Sequence, residues 1–415
     1  MIKLLLLTIF LTPLIGAYQS FGYEQIKVLF FIVSITLIGF LWIFSKPKLE
    51  WNLIKLASFI FILTLFLTSV LGVHPKNSFL GAEPYFQGLL VYAYLFLFSL
   101  MVSVSDIKME RWAYILVGSA TIVGLLAIGD WIQVNLLGHQ IPTYAGRVVS
   151  TFGQPNFYGG FLLLTLPFFR YLLASKGAAL RTWVMVGFLI SLIAIILSTS
   201  RVAFLGAAGL ILFWLIGELP FKKLILGTIS VILLIIFVSS INSSGGWVEK
   251  ELLLPKSTIN PDLPTIGVEK RYYFWPVLWQ LILQKPINGY GLENIAPAFS
   301  SYFEINKHAL FEENLKVKPY LFGLKDLNLD RSHNYILDLL FFSGILGLLS
   351  WLVLVIVTIK KLTQKYDDRH KNVLLVSLVT YLIWIQFQNQ SIVHLIYFWL
   401  LVGLIDNSNK VVTEY

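Results

Sequence analysis

The stretch from Asp330 to Leu349, DRSHNYILDLLFFSGILGLL, sets a polar cluster directly against an apolar run. Arg331, His333 and Asn334 stand at the mouth of a predicted helix, and Asp338 lies about one turn inside it. A cation, a titratable imidazole and an acid at the edge of so apolar a segment are suited to proton transfer. His333 is the candidate general base, because an unperturbed imidazole, with a pKa near ~6.5, changes charge close to neutrality. The plainer alternative is a helix-capping or headgroup histidine. Asp338 either orients that base or forms an ion pair with Arg201 or Arg147. Five residues along, it does not share His333's helix face.

Three further arginines stand at comparable places. Arg147 sits in AGRVVSTFGQPNFYGG, Arg201 in LSTSRVAFLG where two apolar runs meet with almost no loop, and Arg271 opens EKRYYFWPVLWQLILQKP. A charge between two apolar runs needs a partner, unless it snorkels to headgroup phosphates. A guanidinium fork binds two phosphate oxygens at once. Several at one membrane surface suggest a lipid-linked phosphate or diphosphate, whose charge they would stabilise if it became a leaving group. Asp130 carries the same two readings as Asp338, a site acid or a structural ion pair.

The other histidines have weaker contexts: His370 in a basic loop, His394 alone in the last apolar run, His74, His139 and His308 in loops. No Asp-x-Asp or metal-ligand spacing stands on the same side as His333, and there is no P-loop or dinucleotide fingerprint. Chemistry here is expected to need no metal, nucleotide or other cofactor, the activated group arriving on a membrane lipid. Cysteine is absent, so thiol chemistry and disulfides are excluded.

The elements that must position these residues are membrane spans. The 415 residues are 57% hydrophobic and 13% charged, with a mean hydropathy of +0.78. A soluble domain carries about twice that charge fraction. Twelve spans can be drawn, at about 2–17, 26–44, 53–72, 86–104, 112–134, 157–173, 183–199, 202–217, 224–241, 335–359, 373–387 and 391–405. The first is read as a retained helix, because no A-x-A cleavage site follows it. With the N-terminus inside, 17 of the 31 Lys and Arg fall on the cytoplasmic side, four in short outer loops (Lys27, Lys76, Arg147, Arg201) and ten in one long outer loop. That asymmetry makes both termini cytoplasmic. It also accounts for the net charge of +9 without any nucleic-acid partner.

The whole chain, residues 1–415, reads as one integral-membrane domain, with residues 242–332 as a long extracytoplasmic loop. Phe274, Trp275, Leu278, Leu281 and Ile282 fall at helical spacing, which predicts an amphipathic helix at the interface with Pro276 in its first turn. NGYGLENIAPAF follows as a glycine-marked turn and a short helix, and Ser301 to Leu329 is polar enough for a lid. No internal repeat and no matched pair of broken spans is visible, which weighs against a transporter.

These residues also fall in a familiar order. GR followed by STFGQPN at Arg147 to Asn156, TSR at Thr199 to Arg201, Arg271 with Trp275, Lys285-Pro286 and Gly289 to Gly291, then His333 to Asp338 with Gly344 to Gly347, resemble the O-antigen ligase and O-antigen polymerase superfamily of bacterial envelope glycosyltransferases. The likeness runs from about Arg147 to Trp351 and does not extend to Ser301–Leu329. It implies a GT-C-like, all-α polytopic membrane protein that performs an inverting, metal-independent transfer. The glycan would pass from undecaprenyl diphosphate to an acceptor hydroxyl on the outer face of the bacterial cytoplasmic membrane. Arg147, Arg201 and Arg271 would bind the diphosphate, and His333 would take the acceptor's proton with Arg331 beside it. A ligase would use a lipid or protein acceptor, and a polymerase another lipid-linked repeat. The reading from another class is a transporter of the same lipid-linked sugar.

Overall fold

The computed structural model describes residues 2–17, 22–46, 48–174, 178–218, 268–302, 330–365 and 368–407. Thirteen α-helices carry these residues. They are α1 (Ile2–Leu11), α2 (Tyr23–Phe44), α3 (Leu53–Val70), α4 (Pro75–Leu80), α5 (Leu89–Ser103), α6 (Met109–Asn135), α7 (Pro155–Leu173), α8 (Ala178–Leu197), α9 (Arg201–Glu218), α10 (Val268–Gln284), α11 (Tyr335–Lys365), α12 (Asp368–Trp384) and α13 (Ile392–Asp406). Helices underlie eleven of the twelve drawn spans, and the ninth lies outside the described residues. Five of these helices are long and apolar enough to cross a membrane: Tyr23–Phe44, Leu53–Val70, Met109–Asn135, Leu180–Leu197 and Tyr335–Leu362. Shorter apolar helices span Ile2–Leu14, Leu89–Ser103, Arg201–Leu215 and Ile392–Asp406.

Packing sorts the helices into an inner and an outer set. α13 is buried on every side and α7 nearly so, whereas α2, α3 and α8 turn large apolar residues outward, among them Phe40, Phe44, Leu53 and Trp183. An apolar exterior is the arrangement lipid requires. Where α7 meets its neighbours, small residues allow close approach. A Cβ at Gly160 would lie 2.3 Å from the Trp384 ring, and one at Gly159 2.8 Å from Ser198 Oγ.

Two features differ from the sequence reading and set up the site. Helix α2 starts at Tyr23, so Lys27 does not stand in a loop. It is fully buried and donates to the Thr151 carbonyl at 2.6 Å. Helix α11 is not a continuous span. It breaks at Gly344 (φ 60°, ψ −163°), and the segment Pro286–Gly291 docks into the break. Tyr290 N–H donates to the Phe341 carbonyl and Gly291 N–H to Phe342, both at 2.8 Å. Ile345 N–H donates in return to Pro286 at 2.8 Å and Leu346 N–H to Ile287 at 3.4 Å. The backbone groups freed by the break are thereby satisfied. The two glycine motifs, Gly289–Gly291 and Gly344–Gly347, are therefore the halves of one joint.

Helix α10 packs against α11 through an apolar face that includes Leu278, Leu281 and Ile282, so the predicted amphipathic helix is seated on the protein. It begins at Val268, which puts Pro276 in its interior and not its first turn. At the far end of the bundle Asp406 of α13 joins Lys55 of α3 at 2.6 Å and Lys361 of α11 at 2.9 Å, with Asn52 donating at 2.6 Å. Both lysines belong to the set that the charge count put inside, and they lie at the end opposite Arg331 and His333.

A Cβ at Gly344 would sit 2.2 Å from the Ile287 carbonyl oxygen, at a positive φ. Gly344→Ala is expected to cost about 3 kcal/mol or more from overpacking and backbone strain together. Gly209→Ala, which meets open space, should be neutral. Thermal unfolding of the two detergent-solubilised variants checks the contrast.

Candidate functional site

His333 sits on a short turn whose backbone is tied on both sides. Ser332 N–H donates to Asp338 Oδ1 at 2.8 Å, and the Ser332 carbonyl accepts from Trp275 Nε1 at 2.9 Å. Asn334 caps α11 by accepting from Leu337 N–H at 3.0 Å, and its amide donates to the Gln386 carbonyl at 3.2 Å. Between these anchors His333 adopts φ 59°, a left-handed conformation that side chains rarely take, and its ring is half-buried. Asp338 thus orients the turn through the Ser332 backbone. Its carboxylate reaches back to Ser332, where the sequence had offered an ion pair with Arg201 or Arg147.

Arg331 points inward. It is 8% exposed, lies between the rings of Tyr85 (5.1 Å) and Phe342 (4.9 Å), forms an ion pair with Glu293 and donates to Gln87 Oε1 at 3.2 Å. Burial pushes the Glu293 carboxyl up, with Arg331 opposing that rise. Burial also works against the Arg331 charge, but Glu293 together with Asp338 and the tyrosines Tyr92 and Tyr85 more than offsets it, and the guanidinium stays protonated. The pair continues into a buried polar run between α12 and α13. Gln87 Nε2 donates to the Gln390 carbonyl at 2.8 Å, Asn389 Nδ2 to Tyr85 Oη at 2.9 Å, and Tyr381 Oη to Gln390 Oε1.

Arg147 lies on the other side of α7. A two-stranded hairpin pairs Thr143–Tyr144 with Arg147–Val148. Its turn residues Ala145 and Gly146 take φ 49° and 73°, as a tight two-residue hairpin requires. Arg147 Nη1 donates to Thr199 Oγ1 at 3.4 Å, which joins the first motif to the TSR turn. Thr199 also has a positive φ, 52°, and Arg201 is the first residue of α9, with its side chain exposed. A cation at a helix N-terminus is opposed by the helix dipole, so the helix itself gains nothing from Arg201 there.

The start of α7 lies between the two groups. Gly159 touches Ser198 on the Arg147 side. Phe157 packs 6.1 Å from Tyr85 on the Arg331 side, and its carbonyl meets His394 Nε2 at 3.0 Å. Arg147 and Thr199 therefore form one cluster, and Arg331, His333, Asp338 and Trp275 another. Arg271 falls in the first turn of α10, with its side chain outside the described residues, as is the stretch 303–329. His394 belongs to the fold. Fully buried, it completes a capping box with Ser391 and stacks on Trp384.

Sequence reasoning missed Tyr85, Gln87, Glu293 and the run Gln386–Ser391. The last had a signal: QFQNQS is amide-rich between two apolar runs, and such residues in a membrane protein are costly unless partnered. Glu293 had none, being one of ten acids in the long loop.

Residues 186–352 match the family model described as O-antigen ligase. Over that region the chain is similar to the O-antigen ligase family. The match takes in Arg201, Arg271, Arg331, His333 and Asp338 and stops short of Arg147. No curated protein matches the chain.

Removing either partner of the buried Arg331–Glu293 pair leaves an uncompensated charge. Arg331→Ala and Glu293→Ala are each expected to destabilise by about 3–5 kcal/mol. The double variant should lose clearly less than the sum. A double-mutant cycle of thermal unfolding in detergent measures this.

Proposed function

We propose that this chain is a membrane glycosyltransferase of the ligase type, moving a glycan from undecaprenyl diphosphate to an acceptor hydroxyl at one membrane surface. The observation that carries the reading is the His333 turn. A titratable residue sits in a strained backbone conformation, its two neighbours Ser332 and Asn334 held by hydrogen bonds to three separate elements, within the region of the family match. Strain maintained by such surroundings marks functional positions.

In the proposed reaction His333 accepts the proton of the acceptor hydroxyl, and the oxygen attacks the anomeric carbon. The bond from that carbon to the diphosphate oxygen breaks, and the diphosphate leaves with the electron pair. A single displacement inverts the anomeric centre. Arg147, Arg201 and Arg271 stabilise the departing charge, which takes the place of a metal ion in this scheme. Arg201's position supports this, since it is an exposed guanidinium on the first residue of a helix, where the helix dipole also favours an anion. Arg331 and Asp338 act through His333 and are positioning residues. The acceptor is a lipid- or protein-borne glycan or hydroxyl. The site faces the extracytoplasmic side of the bacterial inner membrane, with both termini cytoplasmic. Polymerisation of lipid-linked repeats would use the same groups with a different acceptor. A transporter is less well supported, because among the described residues the buried ion pairs gather at the two ends of the bundle and not along a path through it.

The test is glycan transfer in membranes from cells that lack the native gene and carry His333→Ala or Arg147→Ala at matched protein levels. Each variant is expected to lose about 100-fold or more of the activity, with unprocessed lipid-linked glycan accumulating. Wild-type transfer by His333→Ala would remove the general-base role. Wild-type transfer by both would reopen the transporter reading.

A further inference from the structure

Tyr158 stands one turn into α7 and is fully buried. Its hydroxyl has no hydrogen-bond partner among the described residues. Nearly all buried polar groups are paired, and leaving one unpaired costs about 1–3 kcal/mol. The fold gains nothing from this hydroxyl, and phenylalanine would fill the same space without that cost. What surrounds it points to an anion. Two charged groups stand in its surroundings, the Arg147 guanidinium and the Asp130 carboxylate. The neighbouring carboxylate, Asp130, is engaged by the Ser150 backbone and does not accept the phenol proton. The next residue, Gly159, abuts Ser198, beside the Thr199 hydroxyl that receives Arg147. The start of α7 has Pro155 at its first position and no side-chain cap, so its positive end is also uncompensated.

An unpaired phenol donor and an uncapped helix start therefore stand in the first turns of α7, which pack against the turn that receives the Arg147 guanidinium. We propose that the Tyr158 hydroxyl donates a hydrogen bond to the diphosphate of the lipid-linked donor, beside Arg147. The proposal rests on the transferase reading above and adds to it a group that neither the motifs nor the superfamily match points to. A phosphate oxygen is the fitting partner because it only accepts, and a hydrogen bond to a charged group is stronger than one to a neutral group. The phenol contributes only when ligand is present, and in the ligand-free protein it is a cost.

That asymmetry supplies the test. Full-length protein in detergent would be compared with Tyr158→Phe and Arg147→Ala, by thermal unfolding without ligand and by titration with undecaprenyl diphosphate. Tyr158→Phe should unfold at the wild-type temperature or higher, yet bind undecaprenyl diphosphate about ten-fold more weakly. A lower unfolding temperature, with or without weaker binding, would show a structural hydroxyl and overturn the proposal. Unchanged stability with unchanged affinity would overturn it equally. Phosphatidylglycerol serves as the second probe. If Tyr158→Phe weakens its binding and spares undecaprenyl diphosphate, the site takes a lipid headgroup and the proposal fails. The Arg147→Ala arm separates two failures. If that variant loses affinity and Tyr158→Phe does not, only the Tyr158 role falls. If Arg147→Ala also binds normally, the phosphate reading of the site falls with it.

Discussion

The arrangement depends on one backbone constraint, the break in α11 at Gly344 and the segment that fills it. In hydrocarbon each unsatisfied backbone group costs several kcal/mol. A helix can be interrupted there only where other protein supplies the missing bonds. Pro286–Gly291 does so, taking two carbonyls and two N–H groups of the broken helix. Both sides of the joint need glycine, because a Cβ at Gly289, Gly291 or Gly344 would collide with backbone or with Ser78 at under 3 Å. The joint reaches further. Val73 N–H donates to Tyr290, and Asn294 donates to Ser78, so the turn after α3 is held in the same knot. Part of what a hydropathy profile shows as an external loop is thus packed into the bundle.

From this joint the polar interior follows. Glu293 comes two residues after Gly291, and Phe342, one of the two rings around Arg331, lies within the broken helix. Fixing the joint therefore fixes the anion and one wall of the cage that holds Arg331. The other wall, Tyr85, and the acceptor, Gln87, come from the approach to α5 and are held in turn by Asn389 and Gln390. A buried cation is tolerable only when all its surroundings are so arranged. Arg331 is then a rigid post two residues from His333. Its charge is taken up by the protein itself, whereas the Arg201 side chain is exposed.

The helices were legible because an apolar run in lipid needs only its own composition to declare itself, and eleven of the drawn spans have a helix under them. The ends were less legible. The start of α2 moved to Tyr23 because Glu24 and Lys27, polar in composition, are buried by partners far away in sequence, Ile392 and Thr151. The break at Gly344 was invisible for the same reason. SGILG in an apolar run reads as a tolerated helix glycine until the segment that replaces its hydrogen bonds is known. At the candidate site, residue types singled out Arg147, Arg201, Arg331, His333 and Asp338, and the structure brings several of them into two clusters. Their different surroundings were hidden, since Arg331 and Arg201 look alike in sequence, yet one is buried and paired and the other exposed.

Backbone strain gives a view of the same end that owes nothing to charge. Among the described residues seven non-glycine positions have positive φ, and six of them (Phe86, Ala145, Ser150, Thr199, Glu293 and His333) lie in the turns that build the two clusters. Each costs of order 1–3 kcal/mol and persists only where neighbours over-determine it. The neighbours are identifiable: Trp275, Asp338 and Asn334 around His333, Arg147 at Thr199, and Arg331 at Glu293. The two buried ion pairs of Asp406 that join α3, α11 and α13 at the opposite end have no such cluster of strained turns among the described residues. Holding the bundle together therefore does not require strain. Presenting side chains at fixed places around the start of α7 does, and that end is where the chain has concentrated it.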